Sequence, residues 1–334
     1  MNMNNSQLYD VTLRDGNHAL RHSLSTDFVS AYCEKAEKSG VWAVEVGHGN
    51  GLGASSHLVG KALESDAALL TAARSTLRNV KLAVHSIPGF ATINRDIIPA
   101  LDIGVDIFRV ATHVSEADIS QKHIEFLANR NVAVQGVLMM SHMIDINGLI
   151  KQAKLMCNYG ASAIILMDSA GYFTPKDVAE RVSGIKCALE IEVGFHAHNN
   201  LGLGVGNALT AIQEGASFID GASMGLGAGA GNAQLENIVA AVSRENQLTS
   251  NISDYLQMSK LVEDYYPKNL PRTTSSSTQS GLAGVFSGYA PQVSAISTEL
   301  GVDTNILWKE MASRKLVAGQ ESMIREIAQD LMNL

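Results

Sequence analysis

A short string after the first apolar run of the chain brings three chemically active side chains close together. Residues 10–18 read DVTLRDGNH, so that Arg14, Asp15 and His18 lie within five positions. A carboxylate binds a divalent cation, a guanidinium binds an anionic substrate, and an imidazole moves a proton near neutral pH. At the carboxyl end of a barrel's first strand, these residues predict a metal-assisted active site.

A second string supplies two more candidate ligands. Residues 194–200 read GFHAHNN, and side chains two positions apart in a strand point to the same side. His196 and His198 are therefore expected to converge, forming with Asp15 a two-histidine, one-carboxylate site with open positions for a chelating substrate. The alternative is that both histidines are hydrogen-bonded packing residues. Mn²⁺, Fe²⁺, Co²⁺ and Mg²⁺ all suit the donor set, and the sequence does not choose among them.

Eight short apolar runs, with helix-like segments between them, would position these residues. The runs are 8–13, 43–46, 81–84, 107–110, 133–138, 163–167, 191–195 and 218–220. Segments 28–39, 149–159 and 207–214 end at Gly40, Gly160 and Gly215, where glycine suits a left-handed C-terminal cap. Polar residues follow nearly every strand, whereas a doubly wound sheet would gather them at one crevice. We therefore predict an α/β fold, a (β/α)8 TIM barrel.

The sequence pattern changes near residue 266. Residues 267–279 contain two prolines and a Thr/Ser run, which predict a linker or surface loop. Beyond them no strand-like run follows, and segments 293–300, 304–315 and 320–332 are predicted to be helices. We expect a catalytic barrel over residues 1–266 and a C-terminal helical domain over residues 280–334.

Composition limits the partners and the location that we expect. A net charge of −8 and a pI near 5.7 argue against binding to nucleic acid or an anionic membrane. Cys33, Cys157 and Cys187 lack the spacing of a zinc cluster or redox pair, which predicts reduced thiols in a cytoplasmic protein. The sequence shows neither a secretory signal pattern nor an apolar stretch long enough to span a membrane.

A glycine-rich run at residues 225–232 follows the eighth predicted strand. A dinucleotide-binding fingerprint belongs after the first strand of a βαβ unit, with an acidic residue about 20 positions further on, so we reject that interpretation. We expect the run to shape the pocket, with Asn232 just outside the metal's ligands.

Taken together, these segments resemble one family. Residues 10–18, 45–53, 109–113, 138–143, 168–171, 196–198 and 225–232 are similar to motifs of the class II 4-hydroxy-2-oxovalerate aldolases. That resemblance covers nearly the whole chain and implies a pyruvate-specific, Mn²⁺-preferring (β/α)8 enzyme, with Co²⁺ or Mg²⁺ as alternatives. The wider metallolyase superfamily includes isopropylmalate synthase and hydroxymethylglutaryl-CoA lyase. Its acyl-CoA branches usually carry glutamine at the position of His18, so the histidine favours the aldolase branch.

The resemblance also implies roles for individual residues. Cleavage of a 4-hydroxy-2-oxo acid between C3 and C4 leaves a pyruvate enolate, so the site must stabilise negative charge and remove the 4-hydroxyl proton. Metal on Asp15, His196 and His198 would bind the 2-oxo acid, Arg14 would stabilise the enolate and His18 would be the base. Glu45 would orient Arg14, and Ser169 would contact the pyruvate carboxylate; for both, an ordinary strand-end polar residue is the equal alternative.

Two departures from the family pattern concern the aldehyde pocket. The family usually carries a tyrosine in a Gly-Val-Tyr-Ser segment, where this chain has Phe286. Tyr289 would either replace the missing hydroxyl or merely pack. His85 stands where the family usually shows leucines before Pro-Gly. These differences predict an altered aldehyde, looser stereocontrol at C4, or a biosynthetic setting in place of aromatic-hydrocarbon catabolism.

The C-terminal helices resemble the family's communication domain. In the family this domain binds an acylating, CoA-dependent aldehyde dehydrogenase, which receives the aldehyde through a channel. The resemblance implies such a partner and an oligomer; the alternative is that these helices only cover the barrel and mediate self-association. Two competing functions are a Claisen-type acyl-CoA synthase or lyase, and a weakly active scaffold subunit for a dehydrogenase.

Overall fold

Eight parallel strands close into a barrel in the computed structural model, which describes residues 6–245, 251–317 and 320–333. Each strand pairs with its successor along the chain, and the eighth pairs with the first. The strands are β1 (Gln7–Asp10), β2 (Ala43–Glu45), β3 (Lys81–Ser86), β4 (Ile107–His113), β5 (Ala133–Met139), β6 (Ala163–Asp168), β7 (Glu192–Ala197) and β8 (Phe218–Gly221). The predicted (β/α)8 TIM barrel is therefore confirmed.

Helices surround the barrel and continue beyond its last strand. They are α1 (Gly16–Ala19), α2 (Thr26–Ser39), α3 (Asp66–Thr76), α4 (Ile98–Ile103), α5 (Gln121–Ala128), α6 (Ile146–Tyr159), α7 (Pro175–Ala188), α8 (Gly204–Gln213), α9 (Leu235–Arg244), α10 (Ile252–Tyr265), α11 (Ser275–Ala283), α12 (Ala290–Leu300), α13 (Thr304–Ser313) and α14 (Glu321–Met332). Among the described residues, none of these helices has both the length and the apolar character needed to cross a membrane.

Local chemistry explains where the elements end. Gly40 and Gly160 terminate α2 and α6 in the left-handed region, with φ of 83° and 108°, as the sequence predicts. Strand β1 ends at Asp10, three residues before its predicted end. The backbone N–H groups of Arg14 and Asp15 donate to the Val11 carbonyl at 3.1 and 2.8 Å, which turns the chain away from the strand direction.

Side chains on the two faces of the strands pack in different apolar clusters. Strand residues such as Leu82, Phe108 and Ile164 pack with residues of the surrounding helices in the largest apolar cluster. Their neighbours along the strands face the barrel interior and form two smaller clusters, which contain Tyr9, Val11, Ala43, Ala83, Ile107 and Ala222 in one and Ala111, Val137, Ala163, Ile165, Met167 and Phe218 in the other. Period-two alternation thus separates the outer core from the interior that leads to the site.

The C-terminal helices build an apolar cluster of their own around Trp308, Leu307 and Ile324. Helix α11 begins at Ser275, inside the segment predicted to be a linker. Thr274 and Ser277 cap it reciprocally, each side chain accepting from the other's backbone N–H, so the Thr/Ser run starts a helix. The linker expectation is thus wrong for the second half of residues 267–279.

A buried hydrogen-bond cluster ties α2 to the seam between β1 and β8. The Tyr32 hydroxyl donates to Asp10 Oδ2 at 2.6 Å and lies 2.6 Å from Ser223 Oγ. All three residues are almost fully buried. A buried carboxylate that loses such a donor pays the cost of desolvation without compensation.

We expect Tyr32→Phe to lower the free energy of unfolding by about 1–3 kcal/mol, because Asp10 Oδ2 loses the buried Tyr32 hydroxyl as a donor. Urea denaturation would measure the change. Tyr265→Phe is the matched control, since that side chain is 57% exposed and should change stability by less than about 0.5 kcal/mol. Equal effects of the two substitutions would contradict a structural role for the Tyr32 hydroxyl.

Candidate metal centre and active site

Asp15, His196 and His198 converge at the carboxyl end of the barrel. Asp15 follows β1, His196 lies in β7, and His198 follows β7 in an isolated bridge with Asn232. Asp15 Oδ2 is 4.0 Å from His196 Nε2 and 3.9 Å from His198 Nε2. Potential ligand atoms of the three residues all lie within 4.8 Å of one another. This spacing suits one cation at about 2.0–2.2 Å from each atom.

The hydrogen bond to His196 prepares its other nitrogen to be a ligand. Nδ1 of His196 donates to Asp220 Oδ2 at 2.9 Å, which leaves the lone pair on Nε2. That Nε2 atom is buried, faces Asp15 and has no hydrogen-bond partner among the described residues. Buried nitrogens without a partner are rare. A divalent cation would satisfy this one, so the residues fit the group that the sequence predicts.

The second oxygen of Asp15 is held by the glycine-rich loop. Oδ1 accepts hydrogen bonds from the Ala228 backbone at 3.2 Å and from Asn232 Nδ2 at 3.1 Å. A Cβ on Gly227 would lie 2.7 Å from this oxygen and 2.2 Å from Asn232 Nδ2. Glycine therefore lets the loop backbone reach the carboxylate. Asn232 contacts Asp15 directly, and its role just outside the metal's ligands stays a prediction.

Asp15 belongs to a set of buried charged groups at this site, each at most 3% exposed: Arg14, Asp15, Glu45, Arg109 and Asp220. Arg14 Nη1 donates to Asp15 Oδ2 at 2.6 Å, and Arg14 Nε lies 3.4 Å from Glu45 Oε2. Arg109 donates to Glu45 at 3.3 Å and to both oxygens of Asp220 at 2.8 and 3.0 Å. These contacts form one continuous network from β2 and β4 to β8.

The network keeps its carboxylates ionised in spite of burial. Burial alone would raise the pKa of Asp15, but the Arg14 guanidinium and the neighbouring imidazoles hold it well below its usual range. Burial opposes ionisation of Glu45 as well, and Arg14 and Arg109 outweigh it, so the pKa of Glu45 is lowered. Burial lowers the pKa of His198 to about 3. The carboxylate and imidazole are thus in the forms that bind a cation.

His18 lies on α1, three residues after the candidate metal ligand Asp15. Burial lowers its pKa to about 4, although attraction to Asp15 opposes the change. The ring is therefore neutral at physiological pH and able to accept a proton. Its face lies over Gly49, where an added Cβ would be 2.6 Å from three ring atoms.

The residues predicted to bind substrate are distributed around the carboxyl end of the barrel, the barrel mouth. Nδ1 of His85 is 3.3 Å from Glu45 Oε1, so His85 joins the charged network. Ser169 follows β6 and its Oγ accepts from the Met140 backbone at 3.0 Å, which leaves the hydroxyl proton free to be donated. Glu45 contacts Arg14, and its role in orienting that guanidinium stays a prediction.

Phe286 and Tyr289 belong to the C-terminal segment. The two rings meet edge to face, with centroids 5.9 Å apart. Ser287, between them in sequence, lies against Gly229 of the glycine-rich loop, so this segment covers part of the barrel mouth. The Tyr289 hydroxyl donates to the Val317 carbonyl inside the C-terminal cluster. This contact favours the interpretation that Tyr289 packs in the cluster, and not that its hydroxyl replaces the one missing at Phe286.

Sequence reasoning did not assign roles to Arg109 and Asp220. A signal was present, because each is a charged residue inside a short apolar strand, and a buried charge requires a partner. The sequence could not show that these two residues pair with each other across the barrel.

Comparisons with known proteins agree with this geometry. A family model described as HMGL-like matches residues 5–263, and a DmpG-like communication domain matches residues 271–333. The 4-hydroxy-2-oxovalerate aldolase of Pectobacterium atrosepticum is 49% identical over 97% of this chain and 95% of its own length. The chain belongs to the 4-hydroxy-2-oxovalerate aldolase family. The enzyme of the same name from Spirochaeta aurantia is 48% identical over 96% of this chain and 95% of its own.

Family membership confirms the resemblance inferred from the sequence and makes the protein a lyase of the divalent-metal-dependent aldolase type. A more distant structure supports the fold alone. The carboxyl transferase domain of Rhizobium etli pyruvate carboxylase, solved with pyruvate and biocytin, superposes with a TM-score of 0.83 at 17% identity, covering 98% of this chain and 61% of that one.

We expect Asp220→Asn to weaken Mn²⁺ binding about 10- to 100-fold, because His196 loses the carboxylate that orients it. Calorimetric titration of the metal-free protein would measure the affinity. Asp106→Asn is the control, since Asp106 makes a partly exposed ion pair with Arg74 at 2.9 Å. Wild-type affinity in the Asp220 variant would contradict the orienting role.

Proposed function

We propose that this protein cleaves a 4-hydroxy-2-oxo acid reversibly to pyruvate and an aldehyde, and that 4-hydroxy-2-oxopentanoate or a variant of it is the substrate. This proposal is carried by His196 Nε2, which has no hydrogen-bond partner among the described residues and lies beside Asp15 and His198, with Arg14 hydrogen-bonded to Asp15. A site with two neutral nitrogens, one carboxylate and an adjacent guanidinium binds a chelating 2-oxo acid. Relatives named 4-hydroxy-2-oxovalerate aldolase supply the substrate class.

The residues around this site divide the reaction between charge stabilisation and proton transfer. A divalent cation on Asp15, His196 and His198 would supply Lewis-acid stabilisation of the charge that develops on the 2-oxo oxygen. Arg14 directs a guanidinium to the same charge. As the C3–C4 bond breaks, its electron pair passes into the pyruvate enolate and His18 accepts the 4-hydroxyl proton, so that C4 leaves as an aldehyde. Ser169 donates its hydroxyl proton to the pyruvate carboxylate.

The charge of the buried network supports an anionic substrate. Asp15, Glu45 and Asp220 outnumber Arg14 and Arg109 by one charge, so the network alone is negative. A divalent cation reverses that excess to one positive charge. A 2-oxo acid with a single carboxylate then neutralises the centre, which favours its binding in a region of low dielectric constant.

We propose Mn²⁺ as the resident cation, with Co²⁺ or Mg²⁺ as alternatives, because the site mixes imidazole with carboxylate ligands and leaves positions for substrate oxygens. A cytoplasmic location fits the three free cysteines, of which Cys33 is buried.

The C-terminal region matches a communication domain, which indicates interaction with a dehydrogenase. We propose that the partner is an acylating, CoA-dependent aldehyde dehydrogenase and that residues 280–334 form the contacting domain, next to a catalytic barrel over residues 1–266.

A cavity of about 160 Å³ lies between the barrel loops and the C-terminal helices, lined by residues that include His142, Tyr172, Gly284 and Leu316. Its position would suit passage of a small aldehyde. Self-association through the same helices remains the alternative, and co-purification with the dehydrogenase would distinguish them.

Metal-loaded protein should release pyruvate from racemic 4-hydroxy-2-oxopentanoate, and a chelator should abolish the release until Mn²⁺ is restored. His18→Ala should lower kcat/KM about 10²- to 10⁴-fold while Mn²⁺ affinity is retained, because His18 moves the proton but is not a ligand. A coupled assay for pyruvate and a metal titration measure both effects. Pyruvate release that is insensitive to the chelator, or absent, would refute the proposal for this substrate; release of free CoA thiol from acetyl-CoA and a 2-oxo acid would favour the Claisen alternative.

Phe286→Tyr should sharpen discrimination between the C4 enantiomers, because it restores the hydroxyl that this segment lacks relative to the family. Initial rates with each separate enantiomer measure the ratio. Phe126→Tyr is the matched control, since Phe126 lies on α5 under the Arg130 guanidinium, 3.7 Å from the ring centroid. An enantiomer ratio that does not change in the Phe286 variant would count against a role of this segment in the aldehyde pocket.

A further inference from the structure

We propose that His22 and His48 form a stacked pair that positions the ring of His18, so that both are positioning residues for the reaction. This inference rests on the proposed role of His18 as the base. Ring centroids of His22 and His48 lie 3.6 Å apart with an angle of 13° between the planes. The His22 ring also contacts His18 in an edge-type arrangement, with centroids 5.2 Å apart and planes at 69°. His22 and His48 are 7% and 0% exposed.

Backbone groups fix the orientation of both stacked rings. The Asn50 N–H donates to His48 Nδ1 at 3.1 Å, and His48 Nε2 lies 3.0 Å from the Gly60 carbonyl. Because an amide N–H can only donate and a carbonyl can only accept, His48 is neutral and carries its proton on Nε2. The Gly49 N–H likewise donates to His22 Nδ1, at 3.4 Å. Two neutral rings can stack without charge repulsion, and neither can turn without breaking a backbone hydrogen bond.

An unusual backbone conformation brings His22 to this position. Arg21 and His22 both lie in the left-handed region, with φ of 52° and 61°, although neither is glycine. This conformation costs free energy in residues that carry a Cβ. It persists because the His22 N–H donates to the Asn17 carbonyl at 2.8 Å and the His22 carbonyl accepts from the Leu63 N–H at 2.8 Å. The turn folds the chain back so that His22 contacts His18, four residues earlier.

His18 is thus held on two sides. Gly49 lies over its face, since an added Cβ would be 2.6 Å from Cγ, Cδ2 and Cε1 alike. The His22 ring contacts the His18 ring in an edge-type arrangement, and His48 stacks on His22. Proton transfer requires a ring nitrogen within hydrogen-bond reach of the 4-hydroxyl, and a displacement of about 1 Å can cost about 10²-fold in rate. The stack therefore has a function that packing alone does not require.

The test uses His48→Ala, which removes the support, and His48→Phe, which keeps a flat ring. His48→Ala should lower kcat for cleavage of 4-hydroxy-2-oxopentanoate about 10- to 100-fold and leave KM within about twofold. His48→Phe should restore most of the loss. Oxaloacetate serves as a probe, because loss of CO₂ from its C3 leaves the same enolate without removal of a hydroxyl proton; its decarboxylation should be unchanged in both variants. His57→Ala, an exposed histidine in the following loop, is the control.

Combining substitutions separates this inference from the proposed function. If His48 acts through His18, then His48→Ala should add almost nothing to the loss already caused by His18→Ala. Additive losses, equal losses for both substrates, or no recovery in His48→Phe would overturn the positioning role while leaving His18 as the base. Wild-type protein that does not cleave the hydroxy acid, or whose cleavage is insensitive to His18→Ala, would overturn the proposed function and this inference with it. Circular dichroism and Mn²⁺ titration confirm that each variant is folded and binds metal.

Discussion

The ion pair between Arg109 and Asp220 holds the site together. Arg109 projects from β4 and Asp220 from β8, on opposite sides of a barrel closed by eight strands, and two hydrogen bonds of 2.8 and 3.0 Å join them. The guanidinium also lies over the ring of Tyr9, 4.2 Å from its centroid. Asp220 uses its Oδ2 a second time to orient His196. The contact that spans the barrel interior is therefore the one that directs His196, a candidate metal ligand, toward Asp15.

A buried pair of this kind is costly to break, because removal of one partner leaves an unpaired charge and destabilises by about 3–5 kcal/mol. The rest of the network shares this constraint. Glu45 faces Arg14, Arg109 and His85, so a change at any one of them alters the charge that the other two experience. The network carries one negative charge in excess. With a divalent cation bound, the centre would carry one positive charge and would attract one substrate carboxylate. Stability and substrate charge are thus set by the same five side chains.

The sequence predicted those parts of the fold that depend on local periodicity. Eight apolar runs predict the eight strands, and the spacing of His196 and His198 predicts their convergence, because residues two apart in a strand share a side. Arg109 and Asp220 were not assigned, because their roles depend on a contact between residues more than 100 positions apart, which no local pattern encodes. The Thr/Ser run was misinterpreted for a different reason. Threonine and serine favour turns and helix starts alike. In the structure, the reciprocal cap of Thr274 and Ser277 starts helix α11.

The residues proposed for the enolate chemistry and those proposed for aldehyde specificity lie largely in different parts of the fold. The groups proposed to act on the enolate lie in strands and strand ends, and charged contacts hold them on several sides. Phe286, by contrast, lies in a segment that reaches the mouth from the C-terminal cluster, through Ser287 against Gly229. Phe286 is not a member of the charged network, so a change at Phe286 would leave unaltered the groups proposed to act on the enolate. His85 differs in this respect, because its contact with Glu45 makes it part of the charged network. Of the two departures from the family pattern, the one at His85 therefore carries the greater constraint.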